Sequence, residues 1–395
     1  MLPFNFASST TILACLGLLA SSVGLSVAVS IQTPALDSLT PAKLASVRTN
    51  ALAISTHSWE LGTLTEALTE LEWPSLAVFA PHSIPPPSHL SSWDNAGDVI
   101  KIATEVVRNK TADTLPLIDG DGAVGDPASL GFSVLLANWT RTNKSDTVFS
   151  VDAQEQLEYL LTDAPRSPQG AISHRESQVQ LWADFVYMAP PFIAYYGALE
   201  GGSGGQALLQ TAYDQARLYR DVLYDADVSL WRHIALGDGT DPTHWATGNA
   251  WAAAGMLRVL ATIRQSDFAE KMLPQQKNLT IWVNEIFTGA WSRQQTNGTL
   301  LNYLDQPSSF ADSSSTALMA AATFRYTTLT GDFSHVPAAV RARQLIHESV
   351  DADGWLLNTV DPEVFSAPSQ PGQHSPEGQS FVLLLEAAWT AFQAL

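Results

Sequence analysis

Hydrophobic positions recur at helical spacing through most of the chain. Leu208, Leu209, Ala212, Tyr213, Ala216, Tyr219, Val222 and Leu223 fall three or four residues apart, as one apolar helix face requires. Trp251, Met256, Leu257, Leu260 and Ile263 do the same, and so do Leu318, Ala321, Ala322, Phe324, Arg325 and Leu329, with polar residues between them. Residues 381–395 read as one more apolar helix. Strand-type alternation hardly appears. Turn-forming clusters separate the periodic stretches: "PHSIPPPSHLSS", "DGDGAVGDPAS", "EGGSGGQ" and "GDGTDPTH". At ordinary element and connection lengths, roughly 10–12 helices fit the chain. No internal repeat and no long linker divides it. The pattern predicts one all-α domain over residues 31–395, with nested helical hairpins closing into a ring and loops at one end forming a cleft.

Composition narrows the setting. The 395 residues are 46% hydrophobic, enough for a substantial core. With 39 acids against 20 bases the net charge is −19, and no basic run is present to neutralise phosphates. That argues against nucleic acid or an anionic membrane as partner. Residues 1–30 carry no charged side chain, residues 12–19 are apolar, and Ala28, Val29 and Ser30 form a small-x-small cleavage site. This predicts a secretory signal peptide over residues 1–30, with the mature protein secreted and free of the membrane. An uncleaved anchor is the alternative, because no Lys or Arg precedes the apolar run. The single cysteine, Cys15, lies in the leader, so neither disulfides nor thiol chemistry are expected of the mature chain. Five N-x-Ser/Thr sequons, at Asn109, Asn138, Asn143, Asn278 and Asn297, fit an exported glycoprotein. A monomer is expected.

Three stretches carry candidate chemistry. In "SQVQLWADFVYMAPPFIAYYG", residues 177–197, Asp184 stands alone among Trp182, Phe185, Tyr187 and Met188. Pro190 and Pro191 suit the first turn of a helix, where backbone N–H groups lack intrahelical partners. Asp184 then lies on the segment entering that helix, at an end of the bundle. Apolar neighbours disfavour a charged carboxylate, and a carboxyl that keeps its proton suits a general acid. A helix cap or a solvent-facing side chain is the plainer account of the same residue.

The second stretch, "LWRHIALGDGTDPTHWATGNAW", gathers Trp231, His233, His244, Trp245, Asn249 and Trp251 around a Gly/Asp loop. Tryptophan faces stack on sugar rings, and amide and imidazole groups bond hydroxyls, although core positions would also take these tryptophans. No HExxH or closely paired His spacing is present, so no metal is expected. The third set is acidic: Asp119, Asp121 and Asp126 in "DGDGAVGDPASLG", Asp312 and Glu377. Helix caps and first-turn acids account for such positions, and a second catalytic carboxylate is the sharper alternative for Asp126. P-loop, Rossmann, G-x-S-x-G and reactive-cysteine patterns are absent, and no cofactor is expected.

Together "LWADFVYMAPPFIAYYG" and "LWRH…HWATGNAW" resemble the unsaturated rhamnogalacturonyl hydrolases, six-hairpin glycosidases related to the unsaturated glucuronyl hydrolases. "SWELGTLTEALTEL", "DSSSTALMAAATFRY" and "SPEGQSFVLLLEAA" extend the likeness over most of the chain. The resemblance implies an (α/α)6 barrel and a substrate with a 4,5-unsaturated uronic acid at its non-reducing end, as a pectin lyase leaves it. It implies that an aspartate protonates C4, that water adds at C5, and that the hemiketal opens to release the next sugar. By motif position Asp184 takes that role, His233 is the histidine near the uronate, and Asp126 is the second cleft aspartate. Trp182, Tyr187, His244, Trp245, Asn249 and Trp251 are the implied sugar-binding residues. Thr247, a further expected sugar-binding residue, stands where the family has arginine, so either another base such as Arg232 or His244 meets the anionic uronate, or the substrate differs, or activity is lost. Two other readings stay open: an inverting glycosidase pairing Asp184 with Asp126 or Glu377, and a non-catalytic carbohydrate-binding relative.

Overall fold

A computed structural model of the chain describes residues 39–120 and 122–395. The leader over residues 1–30, Cys15 and Asp121 lie outside the described residues.

Twelve long helices form the body. Six of them, α1 (Pro41–Ile54), α3 (Gly97–Asn109), α5 (Val148–Glu158), α8 (Gly202–Leu223), α10 (Leu273–Trp291) and α12 (Val336–Ser349), bury only part of their surface. They alternate along the chain with α2 (Ser58–Glu72), α4 (Gly131–Thr140), α7 (Pro190–Glu200), α9 (Ala246–Gln265), α11 (Ser313–Thr330) and α13 (Pro376–Gln393), which are buried nearly all round. The buried helices pack in sequence, α2 on α4, α4 on α7, α7 on α9, α9 on α11 and α11 on α13, and α13 returns to α2. The result is an inner ring sheathed by an outer ring, the (α/α)6 barrel. One further turn, α6 (Phe185–Met188), precedes α7. Among the described residues no helix is long and apolar enough to cross a membrane.

Sequence explains the division into two rings. In α8 the apolar face read from the pattern is the buried one: Leu209, Ala212, Tyr213, Ala216, Tyr219 and Leu223. An outer helix has one wet face, so its period survives in the sequence. An inner helix has neighbours on every side and needs small residues where they crowd. α9 carries Ala250, Ala252, Ala253, Ala254 and Gly255, all buried. A Cβ at Gly255 would collide with the Val186 carbonyl, so α6 and α9 meet backbone to backbone there.

The inner ring also holds buried charge. Arg258 of α9 pairs with Glu66 of α2 at 3.2 Å and with Glu70, and Arg325 of α11 pairs with Glu70 at 2.8 Å. Both guanidinium groups lie over the Phe79 ring, and Arg258 also lies 5.2 Å from the centre of the Tyr187 ring. Tyr187 is therefore wall material of the barrel interior rather than a sugar-binding residue: the turn of α6 sends it inward to Arg258 while Asp184 faces elsewhere.

Among the described residues four small two-stranded antiparallel sheets lie in the connections, and the pattern of the sequence did not announce them. Their strands are two to five residues long, too short for alternation to register. One pairs Leu181 with Ala235 and Trp182 with Ile234, and so ties the Asp184 segment to the His233 segment.

Candidate active site

A cleft of about 420 Å³ opens at one end of the barrel. Its lining residues sit at the starts of inner helices or in the connections leading to them. His57 and Trp59 stand at the start of α2, Asp126 shortly before α4, His174 to Asp184 before α7, His233 and Trp245 before α9, and Glu377 in the first turn of α13. Helix N-termini carry partial positive charge, so this end of the ring favours anions without needing many basic side chains.

Asp184 is the N-cap residue of α6, yet its side chain makes no capping bond. Its Oδ2 lies 3.5 Å from Nε2 of His233. Both atoms are buried, and neither has a well-aligned hydrogen bond. On its other side His233 Nδ1 meets Asp241 Oδ2 at 3.0 Å, and Asp241 is itself held by the Thr243 amide at 3.0 Å and the Thr243 hydroxyl at 2.8 Å. Burial alone would push the His233 imidazole down; close approach to Asp184, the hydrogen bond to Asp241 and the charges of both outweigh it and hold the group above the ordinary histidine value. Burial also opposes ionisation of Asp241, but His233 and Thr243 overcome that and lower it. The imidazole is thus fixed in orientation by Asp241 and presents Nε2 to Asp184.

The opposite wall holds His174 and Asp126, with Nε2 and Oδ1 3.8 Å apart. Burial pushes the His174 imidazole down to about 4, so it is neutral at neutral pH. Its ring stacks on Trp182 at 4.9 Å. Trp182 in turn stands edge-on to His233 at 5.4 Å, its indole N–H donating to Gln180 Oε1 at 2.7 Å. Trp245 packs on His233 at 4.5 Å and donates its N–H to Asn302 at 2.9 Å. Trp251 reaches the cleft from the second turn of α9. Trp182, Asp184, Asp126, His233, Trp245 and Trp251 are thus brought together around one hollow.

His244, Thr247 and Asn249 are not among its lining residues. Thr247 is fully buried and donates its hydroxyl to Asp312 Oδ2 at 3.2 Å, because the first turn of α9 directs it toward α11. Asn249 braces backbone: its Oδ1 accepts from the Trp231 amide at 2.8 Å, and its Nδ2 donates to the Trp231 and Trp245 carbonyls, each at 2.9 Å. His244 Nδ1 pairs with Asp305 at 2.7 Å, and Arg232 pairs with Asp225. Neither of these bases faces the cleft in place of the arginine that Thr247 replaces.

The cationic side chain in the cleft wall is Arg175, which sequence reading missed. It makes no ion pair with any described carboxylate, and its guanidinium lies 5.9 Å from the Trp182 ring centre. It sits in an irregular loop, and only its place nine residues before Asp184 could have flagged it. Asp241 and His174 were missed for the same reason, and Trp59 was missed although it opens helix α2. At the rim, ligand atoms of His57, Glu60 and Glu363 lie within 4.8 Å of one another. Glu60 Oε2 is already occupied by the Thr56 and His57 amides at 2.7 and 2.9 Å, a helix-capping arrangement rather than a metal centre.

A six-hairpin barrel with an aromatic-walled cleft holding several carboxyls has the architecture of the six-hairpin glycosidases. Residues 104–363 match Glycosyl Hydrolase Family 88, more than half of the chain, and the chain belongs to that family. It is similar to the unsaturated rhamnogalacturonyl hydrolase YesR of Bacillus subtilis (strain 168), with 25% identity over 236 residues. That similarity spans 57% of this chain and 63% of YesR, less than two thirds of the relative's length. Among solved structures, a possible member of GH105 family from Salmonella enterica superposes with a TM-score of 0.68 at 17% identity, over 88% of this chain and 92% of that one. The unsaturated glucuronyl hydrolase from Bacillus sp. GL1 superposes with a TM-score of 0.58 at 14% identity, over 88% and 94%. These structures share the fold.

Proposed function

We propose that the protein removes a 4,5-unsaturated uronic acid from the non-reducing end of pectic, rhamnogalacturonan-type oligosaccharides. The observation that carries this reading is the pairing of Asp184 with His233 at 3.5 Å inside a cleft whose wall also presents Arg175, a cation with no ion-pair partner among the described residues. Asp184 in its acid form gives its proton to C4 of the vinyl ether, and the developing positive charge is shared by C5 and the ring oxygen. The Asp184 carboxylate then takes a proton from water as that water's oxygen bonds to C5. The C5 hemiketal opens, the C1 hemiacetal collapses to an aldehyde, and the neighbouring sugar leaves with its oxygen protonated. Over the sequence one water is consumed and Asp184 regains its proton. His233, oriented by Asp241, holds the departing and returning charge on Asp184. Arg175 offers paired donors to the uronate carboxylate, work that Thr247 cannot do. Trp182 and Trp245 supply faces for the sugar ring.

Residues 1–30 act as the export signal, and residues 31–395 form the mature monomeric glycoprotein. Similarity to the unsaturated rhamnogalacturonyl hydrolase YesR supports the substrate class. Lyase-cut rhamnogalacturonan tests it: ultraviolet absorbance of the C4=C5 bond should fall as one neighbouring sugar chain is freed per bond lost. Reducing sugar released from uncut glycan, with the absorbance of cut glycan unchanged, would favour the inverting reading. Amino-terminal sequencing of protein recovered from the culture medium should start at Ile31; a start at Met1 would refute cleavage.

A further inference from the structure

Glu377 lies in the cleft but has no part in the proton transfer just described. It is 6% exposed and stands in the first turn of α13. Its Oε1 accepts the indole N–H of Trp59 at 2.5 Å. Among the described residues no lysine, arginine or histidine is within ion-pair distance of it. The charged groups that press on it most are acidic: Glu60 of α2, Asp184 before α6 when ionised, and Asp126 before α4. His57 and Glu363 stand farther out at the same rim, 3.5 Å from each other.

We infer that Glu377 binds substrate as a neutral carboxylic acid, donating its O–H to an oxygen of the bound uronate. The inference rests on the hydrolase reading above and extends it to substrate binding. The physical reasons converge. A buried carboxylate needs a cation or several donors, and Glu377 has one neutral N–H. Burial, Glu60, Asp184 and Asp126 all push its carboxyl well above the usual range, and only Trp59 pulls the other way. The α13 N-terminus favours the anion only weakly, too little to outweigh burial among other acids. A neutral acid also resolves a conflict of charge. A cleft with Asp126, Asp184 and Glu377 all ionised would repel an anionic sugar, whereas a protonated Glu377 removes one charge and adds a donor.

Glu377→Gln keeps the shape, an acceptor for Trp59 and an N–H donor, but cannot ionise. In wild type, KM should rise as alkaline pH strips the Glu377 proton, separately from any fall in kcat that follows His233. Glu377→Gln should lose about threefold in kcat/KM at neutral pH and show no alkaline rise in KM. Glu377→Ala should lose about tenfold or more at neutral pH, as removal of a hydrogen bond and exposure of its partner imply, and the gap to wild type should narrow at alkaline pH. Glu377→Gln as inactive as Glu377→Ala, or retaining the wild-type rise in KM, overturns the inference. A substrate-free measurement separates this outcome from failure of the hydrolase reading. The wild-type minus Glu377→Gln infrared difference spectrum should show the C=O stretch of a protonated carboxyl at neutral pH; identical spectra refute the neutral acid even if no unsaturated sugar is ever turned over.

Discussion

In the proposed reaction Asp184 and Arg175 divide the chemistry of the cleft, one handling the proton and the other the substrate's charge. Arg175→Gln should raise KM on unsaturated uronate about tenfold, the worth of a charge-assisted contact, with little change in kcat. Steady-state kinetics with the absorbance assay reads this directly; an unaltered KM would remove Arg175 from substrate binding. Asp184 was legible in the sequence because a lone acid in an aromatic stretch is conspicuous. Arg175, His174 and Asp241 were not, because irregular loops carry no period and only the fold brings them to the aspartate. Tyr187 misled for a related reason. Its distance from Asp184 means one thing on an extended segment and another on the helical turn that residues 185–188 form. Thr247 misled because its motif position faces a sugar only if its side chain does, and here Asp312 holds it.

Asp312 shows how the helix starts are fixed around the cleft. Its carboxylate accepts from the Ser314 and Ser315 amides at 3.0 Å each, from the Val360 amide at 2.9 Å and from the Thr247 hydroxyl at 3.2 Å. One side chain therefore caps α11 and ties it to the start of α9 and to the 360–368 hairpin, which carries Phe365 against His233 at 4.5 Å. Asp312→Ala should cost more than the ~1 kcal/mol of an isolated cap, since buried donors are left unpaired. Thermal unfolding should show a clearly lowered midpoint together with weakened turnover, and a midpoint equal to wild type would refute the coupling. The sequence reading of Asp312 as a cap matches its place; the reach to Val360 and Thr247 depends on tertiary approach and leaves no local trace. Outer helices were similarly legible through their wet faces, while inner helices such as α11 showed apolar spacing that did not reveal their burial on every side.

At the scale of the molecule the ring is joined through its interior as well as at the cleft. Glu66, Glu70, Arg258 and Arg325 link α2, α9 and α11. Burial pushes the Glu66 carboxyl up to about 7, against the pull of Arg258. The folded state therefore keeps a proton that the unfolded chain surrenders above its model value of 4.5. This contribution to stability is complete below that value and is lost as pH rises through about 7. Denaturant midpoints should decline over that window, and Glu66→Gln should flatten the decline; an unchanged slope would refute the assignment. The barrel's closure was foreseeable from helices without linkers, but the buried ion pairs were not, since helical periodicity does not say which charges turn inward.

The decisive measurement compares the wild-type protein with Asp184→Asn on the same lyase-cut rhamnogalacturonan, following the C4=C5 absorbance while circular dichroism confirms equal folding. The account predicts steady bleaching by wild type and a loss of roughly 10²–10⁴-fold in the variant, the usual worth of a placed general acid. Equal bleaching by a folded Asp184→Asn protein would contradict it.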